Sequence, residues 1–334
     1  MGLICRQILF LWNLDLDVSF PNKAMFFSNS SLRYALLGFS DFPFMQMYLF
    51  LIFLIMYLLT VLGNLVILSC VVFDQRLHSP MYYFLGNLSL VDICFTSSTI
   101  PTLLSSFVSD ARSLSFPACI TQMFSFITFG NLENNLLAVM AYDRYVAICS
   151  PLQYTKRMRS SVCVALVFTS WVGAFAHSLL HTLKVAALEF NGVKQINHFF
   201  CEISQLLSIS SSDTSINFLL IQTEGAVSVG IPFICITMSY TKIVVALVRL
   251  RSKGAQLKAL STCSSHLTTV CLFYGTIVSV YFRPYASSSG VGERAATIGY
   301  TLLTPMLNPF IYGLRNKAVK SAAGKAWQRK LSAN

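Results

Sequence analysis

Three acidic side chains interrupt long apolar stretches of this sequence: Asp92, Glu133 and Glu224. On membrane-insertion scales, an acidic side chain at the centre of a bilayer costs about 2.5–3.5 kcal/mol. Side chains that are this unfavourable need either a partner or a function. They are the first residues whose chemistry has to be explained.

The spacing of residues around Glu133 predicts one shared helix face. At about 100° per residue, Arg144 returns to within about 20° of Glu133, and Phe126 lies on the same line as Arg144. Leu137 falls between them on that face. We therefore predict that this stripe, which carries an acid and a base, points towards the interior of a helical bundle.

Two interpretations of Asp92 and Glu133 follow from their position inside apolar segments. In one, the acids share a proton or accept hydrogen bonds from Ser and Asn neighbours. In the other, they hold a monovalent cation, most simply sodium, with Asn308 close by. No other cofactor is expected from the sequence.

The elements that carry these residues are predicted to be membrane-spanning helices. Of 334 residues, 55% are hydrophobic and only 11% are charged, with a mean hydropathy of +0.63. A soluble domain carries about 25% charged residues, so this composition cannot cover a water-facing surface. About 20 apolar residues cross a bilayer, and the gaps between charged residues predict seven spans. They lie at about 46–72, 81–107, 119–148, 162–183, 215–248, 259–282 and 295–314.

We accordingly predict an all-α membrane protein: a seven-transmembrane helix bundle over 42–314, with a short cytoplasmic amphipathic helix after the seventh span. An odd number of spans places the tail 1–41 and the tail 315–334 on opposite sides. With the amino end outside, sixteen basic residues lie on the cytoplasmic side and eight outside, as the positive-inside rule requires. The net charge of +11 is thus an orientation signal. Because the basic residues fall between apolar runs, no nucleic-acid partner is predicted.

The amino-terminal stretch raises a question about the start of the protein. Residues 1–24 contain no secretory signal, because their apolar run is short and acidic residues follow it. The working start is either Met1 or Met25. Asn29 opens an Asn-Ser-Ser glycosylation sequon on the predicted outer side.

No pattern in the sequence predicts catalysis. It contains no nucleotide-binding loop, metal-ligand cluster or nucleophile–base pair. Ser, His and Asp residues spread through a bundle are ordinary interhelical hydrogen-bonding groups. A transporter or channel would predict internal repeats or paired broken helices, and neither is seen. We expect a membrane protein that binds a ligand, and not an enzyme.

Five blocks of residues, in fixed order, resemble the rhodopsin-like (class A) G-protein-coupled receptors and, more closely, the olfactory (odorant) receptors. The blocks are LHSPMYYFL at 77–85, MAYDRYVAIC at 140–149, SY at 239–240, KALSTCSSHL at 258–267 and PMLNPFIYGLRN at 305–316. The resemblance extends from about Asn29 to Lys330. A lone Asp-Arg-Tyr triplet would be weak evidence, whereas five blocks in order are specific.

The resemblance implies which residues transmit a signal to the cytoplasmic side. Activation is expected to be a population shift between an inactive and an active bundle, which the ligand biases. The residues implied are Asp143, Arg144, Tyr145, Tyr240, Asn308, Pro309 and Tyr312. Basic residues at the same face are expected to contact either the G protein or anionic lipid headgroups. They are Lys156, Arg157, Arg159, Arg249, Arg251 and Lys253.

The resemblance also implies a disulfide between Cys119 and Cys201 that pins the long outer loop over the bundle. Olfactory receptors commonly carry a second bridge in this loop, at positions ten residues on each side of the shared cysteine. Here those positions are Asn191 and Ser211, so both partners are missing together. The loop is expected to be less constrained as a result.

By resemblance, the outer halves of the third, fifth, sixth and seventh spans form a mostly apolar ligand cavity. Phe126 occupies the place where amine receptors of the same superfamily carry an Asp. Glu224 either substitutes for it, by recognising a hydrogen-bond donor or a cation, or is satisfied internally by His181. The expected lining residues are Phe126, Ile127, Gly130, Asn131, Glu224, Ser228, Tyr274, Ile277, Val278, Tyr281, Ile298 and Thr301.

The implied function is that of an odorant receptor of the plasma membrane, in the sensory perception of smell. It would bind a small volatile organic ligand and activate a stimulatory, olfactory-type G protein, which raises cyclic AMP. Membrane lipids and a trafficking chaperone are further expected partners. The alternative is a non-olfactory chemosensory receptor with the same fold, and a membrane transporter or channel is a more distant one.

Overall fold

A computed structural model describes residues 32–39, 43–108, 113–191, 195–249, 252–281, 290–315, 319–322 and 324. The predicted sequon at Asn29, the alternative start at Met25 and the basic residue Arg251 lie outside these residues. The structure describes the backbone of Tyr281 but not its side chain.

Seven long helices form the body of the protein, which confirms the seven-helix bundle. They are α1 (Gln46–Phe73), α2 (Pro80–Val108), α3 (Phe116–Cys149), α4 (Ser160–Ala186), α5 (Ser215–Arg249), α6 (Lys253–Tyr281) and α7, which consists of Gly290–Ile298, a π-helical turn at Gly299–Leu303 and Thr304–Arg315. Several helices extend beyond the predicted spans, because polar turns at their ends continue the helix past the apolar segment.

Within the described residues, four helices are long and apolar enough to cross a membrane by length and composition alone: α1, α2, α4 and α5. The third helix is less apolar because it lies inside the bundle, between α2, α4 and α5. Its Glu133, Asn134 and Asp143 are no more than 2% exposed, so protein and not lipid surrounds them. On α1, in contrast, apolar side chains such as Leu62 and Val66 are exposed, as expected for a surface that faces lipid.

The described part of the chain also contains a small sheet that the sequence did not predict. Its strands are β1 (Arg33–Leu36), β2 (Ser113–Ser115) and β3 (Gln195–Ile196), in the order β2-β1-β3. The central strand β1 pairs antiparallel with β2 and parallel with β3. The amino-terminal tail is thereby tied to two outer loops. The loop that carries β3 also contains a short helix, Ile203–Ser208.

An asparagine of α1 compensates for a proline in α7. Pro309 in α7 has no N–H, so the carbonyl of Pro305 loses its helical donor. Asn64 Nδ2 of α1 donates to that carbonyl at 3.1 Å. The contact requires α1 and α7 to approach closely, and Gly63 allows it, because a Cβ there would lie 2.9 Å from the Cβ of Pro309.

The end of the bundle at which α3 ends has short helical segments of its own. Pro151–Gln153 and Tyr154–Arg157 follow α3. Residues 319–322, beyond the seventh span, are helical. Val319 and Ala322 are buried against the bundle core, whereas Lys320 is exposed. This arrangement is that of an amphipathic helix, whose apolar residues recur three or four positions apart.

Candidate ligand-binding and signalling site

A lid made of the tail and the long outer loop covers the outer end of the bundle. Cys119 and Cys201 form a disulfide, as the resemblance implied. The backbone N–H of Cys201 also donates to Gln122 Oε1 at 2.9 Å. From α7, the buried Arg294 donates to the carbonyl oxygen of Gly38 in the tail. The lid is therefore attached to α3 and α7 through the loop and the tail.

One histidine of the lid is enclosed by aromatic rings. His198 is 1% exposed, with its ring centroid 4.6 Å from those of both Phe199 and Phe200. Burial, and then the positive charge of Arg294, lower the pKa of His198 to about 3. The ring is therefore neutral at physiological pH.

Beneath the lid, Phe126 of α3 belongs to an aromatic cluster. Its ring centroid lies 4.6 Å from Phe200 of the lid, 5.2 Å from Phe95 of α2 and 6.1 Å from Tyr300 of α7. No acid takes the place of Phe126, so this face of the candidate cavity is apolar. Such offset and edge-on ring pairs contribute about 0.5–1.5 kcal/mol each beyond their burial.

Gly130, a member of the predicted ligand set, packs closely against a residue of α7. A Cβ at this position would overlap the hydroxyl of Tyr300. The glycine therefore makes room for a tyrosine of the π-helical turn in α7, and its contact with a ligand stays a prediction. The sequence did not show this, because the π-helical turn determines where Tyr300 points.

The other predicted lining residues differ in their exposure. Ile277 and Thr301 are buried, whereas Val278 is 53% exposed. The structure therefore does not bring Val278 into the interior with Ile277, since the two lie on different faces of α6. The half-buried members of the set are Phe126, Ile127, Asn131, Glu224, Ser228, Tyr274 and Ile298.

A hydrogen-bonded row of side chains crosses from α3 to α4. Asn131 Nδ2 donates to the carbonyl of Ile127 at 2.9 Å and lies 3.0 Å from His177 Nδ1. His177 Nε2 in turn lies 3.1 Å from His181 Nε2. Glu224 of α5 interacts electrostatically with both imidazoles. In the described contacts, the bonded partner of His181 Nε2 is His177 and not the carboxylate.

Asn134 was not among the predicted site residues, yet it joins three helices. Tyr274 of α6 donates from its hydroxyl to Asn134 Oδ1 at 2.6 Å. Asn134 Nδ2 donates to the carbonyl of Ser228 on α5 at 2.9 Å. That carbonyl lacks its helical donor because Pro232 follows four residues later. The proline in the fifth span is the signal in the sequence that could have pointed to such a donor.

The acid pair lies deeper in the bundle. Asp92 and Glu133 are both 0% exposed. Asn308 Nδ2 of α7 donates to Asp92 Oδ2 at 2.9 Å. Among the described residues, both oxygens of Glu133, Oδ1 of Asp92 and Oδ1 of Asn308 have no hydrogen-bond partner. The part of the chain that the structure describes contains no group of three His, Cys, Asp or Glu side chains that could hold a metal ion.

At the cytoplasmic end of α3, Asp143 receives hydrogen bonds from two sides. Arg144 Nε donates to Asp143 Oδ2 at 3.0 Å, and a second guanidinium nitrogen contacts the same oxygen. The hydroxyl of Tyr154, in the following short helix, donates to Oδ1 at 2.7 Å. Burial, together with the Asp143 carboxylate, raises the pKa of Tyr154, so it remains a donor. Arg144 is held against its own neighbour and is 8% exposed.

Another connection between helices passes through His266, which the sequence analysis did not single out. His266 Nε2 lies 3.0 Å from the carbonyl oxygen of Leu137, and Nδ1 lies 2.8 Å from the hydroxyl of Tyr240. A carbonyl can only accept, so Nε2 carries the proton. For a neutral ring, Tyr240 is then the donor to Nδ1. The three residues belong to α6, α3 and α5.

The remaining predicted signalling residues lie around this connection. Tyr145 of α3 receives the ammonium group of Lys242 over its ring, at 5.4 Å from the centroid. Tyr312 of α7 is 5% exposed and belongs to the same core cluster as Tyr240. The structure thus brings the predicted cytoplasmic residues of α3, α5 and α7 together around α6.

The bundle is similar to that of a solved receptor. The crystal structure of squid rhodopsin aligns with a TM-score of 0.68 at 17% sequence identity, covering 87% of each chain. At this identity the likeness shows the fold, which is that of the seven-helix receptors.

The sequence comparisons define the family. A family model described as "Olfactory receptor" matches residues 53–330. Olfactory receptor 1f45 of Rattus norvegicus is 50% identical over 297 residues, which are 89% of this chain and 95% of the relative. Olfactory receptor 1F1 of Homo sapiens is 48% identical over the same shares of the two chains. Olfactory receptor 1M1 of Mus musculus is 45% identical over 91% of this chain and 97% of the relative.

The chain belongs to the olfactory receptor family. It is therefore an odorant receptor and not an enzyme, and a multi-pass protein of the plasma membrane. The family recognises small-molecule ligands and acts through G proteins in general.

Proposed function

We propose that this receptor binds a small, volatile, largely apolar ligand between the outer halves of α3, α5, α6 and α7. Binding then activates a stimulatory, olfactory-type G protein and raises cyclic AMP. The observation that carries this proposal is the bridge from Tyr274 through Asn134 to Ser228. It connects the floor of the candidate cavity to three helices at once.

The ligand acts by favouring one of two arrangements of the bundle. A ligand that contacts Tyr274 changes the hydrogen bond to Asn134 and so biases α6 relative to α3. Further inward, the same two helices meet α5 at His266, between Leu137 and Tyr240. Separation of the inner ends of these helices breaks that connection and frees Arg144 from Asp143.

The G protein docks on the cytoplasmic loop that follows α3. Leu152 in this loop is 98% exposed. Burial of such an apolar side chain against a partner protein is favourable. The loop follows directly after the buried pair Asp143 and Arg144. Exposed Lys156, Arg157 and Arg159 lie next to it. These basic residues contact acidic groups of the G protein or anionic lipid headgroups.

A sodium ion between Asp92 and Glu133 is a further part of the proposal. The oxygens that lack partners there come from two carboxylates and the Asn308 amide, and hard cations prefer oxygen ligands of this kind. A shared proton would instead require a hydrogen bond between the acids, and both oxygens of Glu133 lack one within the described residues. The ion would stabilise the arrangement in which α2, α3 and α7 remain together.

The amino terminus lies outside the cell and the carboxyl terminus in the cytoplasm, since the positive-inside rule favours this orientation. Asn29 is then on the side where glycosylation occurs. The costly polar residues in the spans favour help from a trafficking chaperone during delivery to the surface.

A cyclic AMP reporter assay on intact cells tests the proposal. The receptor is expressed with a trafficking partner and exposed to a chemically diverse odorant panel. Concentration-dependent cyclic AMP from at least one odorant, absent in cells without the receptor, is the expected result. If the receptor reaches the surface and no odorant raises cyclic AMP, the proposed function is wrong.

A further inference from the structure

We propose that Glu224 of α5 binds the ammonium group of a small aliphatic amine, so that protonated amines are the preferred ligands of this receptor. The inference rests on the proposed function, because it assigns a ligand chemistry to the same cavity. Its basis is the charge balance around Glu224, which the structure gives through the hydrogen bonds of its neighbours.

The first step is to find which ring nitrogen of His177 carries the proton. Asn131 Nδ2 carries two hydrogens, and the carbonyl of Ile127 can only accept one of them, at 2.9 Å. That contact fixes which end of the amide faces α4. The second hydrogen is therefore directed at His177 Nδ1, at 3.0 Å. An accepting Nδ1 carries no proton, so the proton of His177 is on Nε2.

The second step assigns the proton of the neighbouring ring, His181. His177 Nε2 lies 3.1 Å from His181 Nε2, and with its proton it must be the donor. His181 Nε2 is then the acceptor and carries no proton. Both imidazoles are therefore neutral, and neither provides a positive charge for the carboxylate with which they interact.

The two imidazoles therefore leave the carboxylate of Glu224 without a positive partner. It is half-buried on α5 and interacts electrostatically with both rings. Among the described residues, the ion pairs join Arg76 to Asp74 and Arg144 to Asp143, and Glu224 takes part in neither. A carboxylate at membrane depth without a cation is unfavourable. A ligand that brings one positive charge removes this imbalance, which an alcohol or an aldehyde cannot do.

The surroundings of Glu224 determine what else the ligand carries. Ile221, one turn away on α5, is packed against the lid, and so is Ile127 of α3. Ser228, one turn further inward, ends the bridge to Tyr274. The acid thus lies between the apolar lid and the bridge that the proposed mechanism uses. A ligand with a short hydrocarbon tail fits this setting. Its amine then lies next to the bridge that joins Ser228 to Tyr274.

The experiment compares unbranched primary amines, from propylamine to octylamine, with the alcohols of equal chain length. Cyclic AMP is measured for the wild type, Glu224→Gln and Glu224→Asp. We expect the wild type to respond to at least one amine. The glutamine variant should raise the half-maximal amine concentration about ten- to hundredfold, the range for a hydrogen bond to a charged group. Its response to alcohols should change much less, because an alcohol brings no charge, and the aspartate variant should recover part of the amine response.

Glu189→Gln is the matched control, since it removes one exposed acid of the outer loop and leaves the row from Asn131 to His181 intact. It should respond as the wild type does. The inference is overturned if no amine activates the wild type or stabilises it against thermal unfolding. It is also overturned if Glu224→Gln leaves the amine response unchanged or weakens amine and alcohol responses equally.

A binding measurement separates this inference from the proposed function. Thermal unfolding of the purified full-length receptor is followed with and without the same amines and alcohols. Stabilisation of the wild type by an amine, absent in Glu224→Gln, supports the amine site even when no cyclic AMP is produced. Responses to other odorants without any amine effect leave the proposed function standing and reject the amine site.

Discussion

At the scale of single residues, Asn134 uses its two amide atoms for two different helices. Its nitrogen satisfies the carbonyl that Pro232 leaves without a donor, and its oxygen accepts from Tyr274. The first contact joins α5 to α3. The second connects α6 and can break when α6 moves. One side chain thus combines a structural and a signalling contact.

Replacing Asn134 with Ala should affect both contacts. The carbonyl of Ser228 and the hydroxyl of Tyr274 lose their partners, and each unsatisfied buried group costs about 1–3 kcal/mol. We expect a lower free energy of unfolding, seen as a lower melting temperature, and a loss of odorant-evoked cyclic AMP. Tyr274→Phe is the control, because it removes one hydrogen bond only, worth about 0.5–1.5 kcal/mol. Wild-type melting and signalling in both variants would contradict the role given to Asn134.

Glu133 allows a second test at the same scale. Its two carboxylate oxygens lack hydrogen-bond partners among the described residues, and a bound sodium ion would stabilise the folded receptor by mass action. Sodium chloride should therefore raise the melting temperature of the wild type relative to choline chloride at equal ionic strength. Glu133→Gln should abolish this difference. The sodium proposal fails if the wild type melts at the same temperature in both salts.

At the scale of elements, the lid depends on chain segments far apart in sequence. The strand β1 of the tail lies between β2 and β3 of two outer loops, and one disulfide connects the longer loop to α3. The absence of a second bridge at Asn191 and Ser211 led us to expect a less constrained loop. The sheet and the contact of Arg294 with Gly38 provide other attachments.

The stability of the lid should depend on pH through His198. Its pKa is about 3 when folded and 6.5 when exposed, so only the unfolded state binds a proton between these values. Stability is therefore complete above pH 6.5 and decreases as the pH falls towards 3. At pH 4.5 the loss should be about 2–3 kcal/mol. Melting temperatures of the purified receptor across this range measure it.

His198→Asn, which does not titrate here, should flatten that part of the pH profile while leaving the acid-induced loss from other groups. An equally steep profile in the variant would show that His198 is not the group responsible. The comparison is made at constant salt, because screening changes the contribution of Arg294.

At the scale of the whole molecule, two hydrogen-bonded connections join the helices at different depths of the bundle. The outer bridge at Asn134 and the inner connection at His266 involve the same helices, α3, α5 and α6. Arg144 is at the end of this path, bound to Asp143. The proposed mechanism uses these two connections in turn.

Arg144→Ala tests the inner end of this path. The side chain is bonded to its own neighbour and lies near the cytoplasmic surface, so we expect the variant to reach the cell surface normally. Odorant-evoked cyclic AMP should be abolished. Lys320→Ala, which removes an exposed basic residue beyond the seventh span, should keep most of the response. A full response from Arg144→Ala at equal surface expression would contradict the coupling role.

The sequence by itself determined the class of fold and the family. Charge spacing predicted seven helices because charged side chains are excluded from the bilayer, and this holds for any packing of the helices. The five motif blocks identified the family, since they depend on residue order alone. The stripe from Glu133 to Arg144 was predictable as well, because helix geometry is regular.

Only the tertiary structure decided which partners these residues have. Asn134, His266 and the neutral pair of histidines gain their roles from contacts between helices that are distant in the sequence. Gly130 packs against Tyr300 because a π-helical turn in another helix directs that ring onto it. The sheet of the lid likewise joins three short segments, each too short for a periodic pattern. A helix shows its own inward face in its sequence, whereas the residue opposite that face depends on how the helices pack.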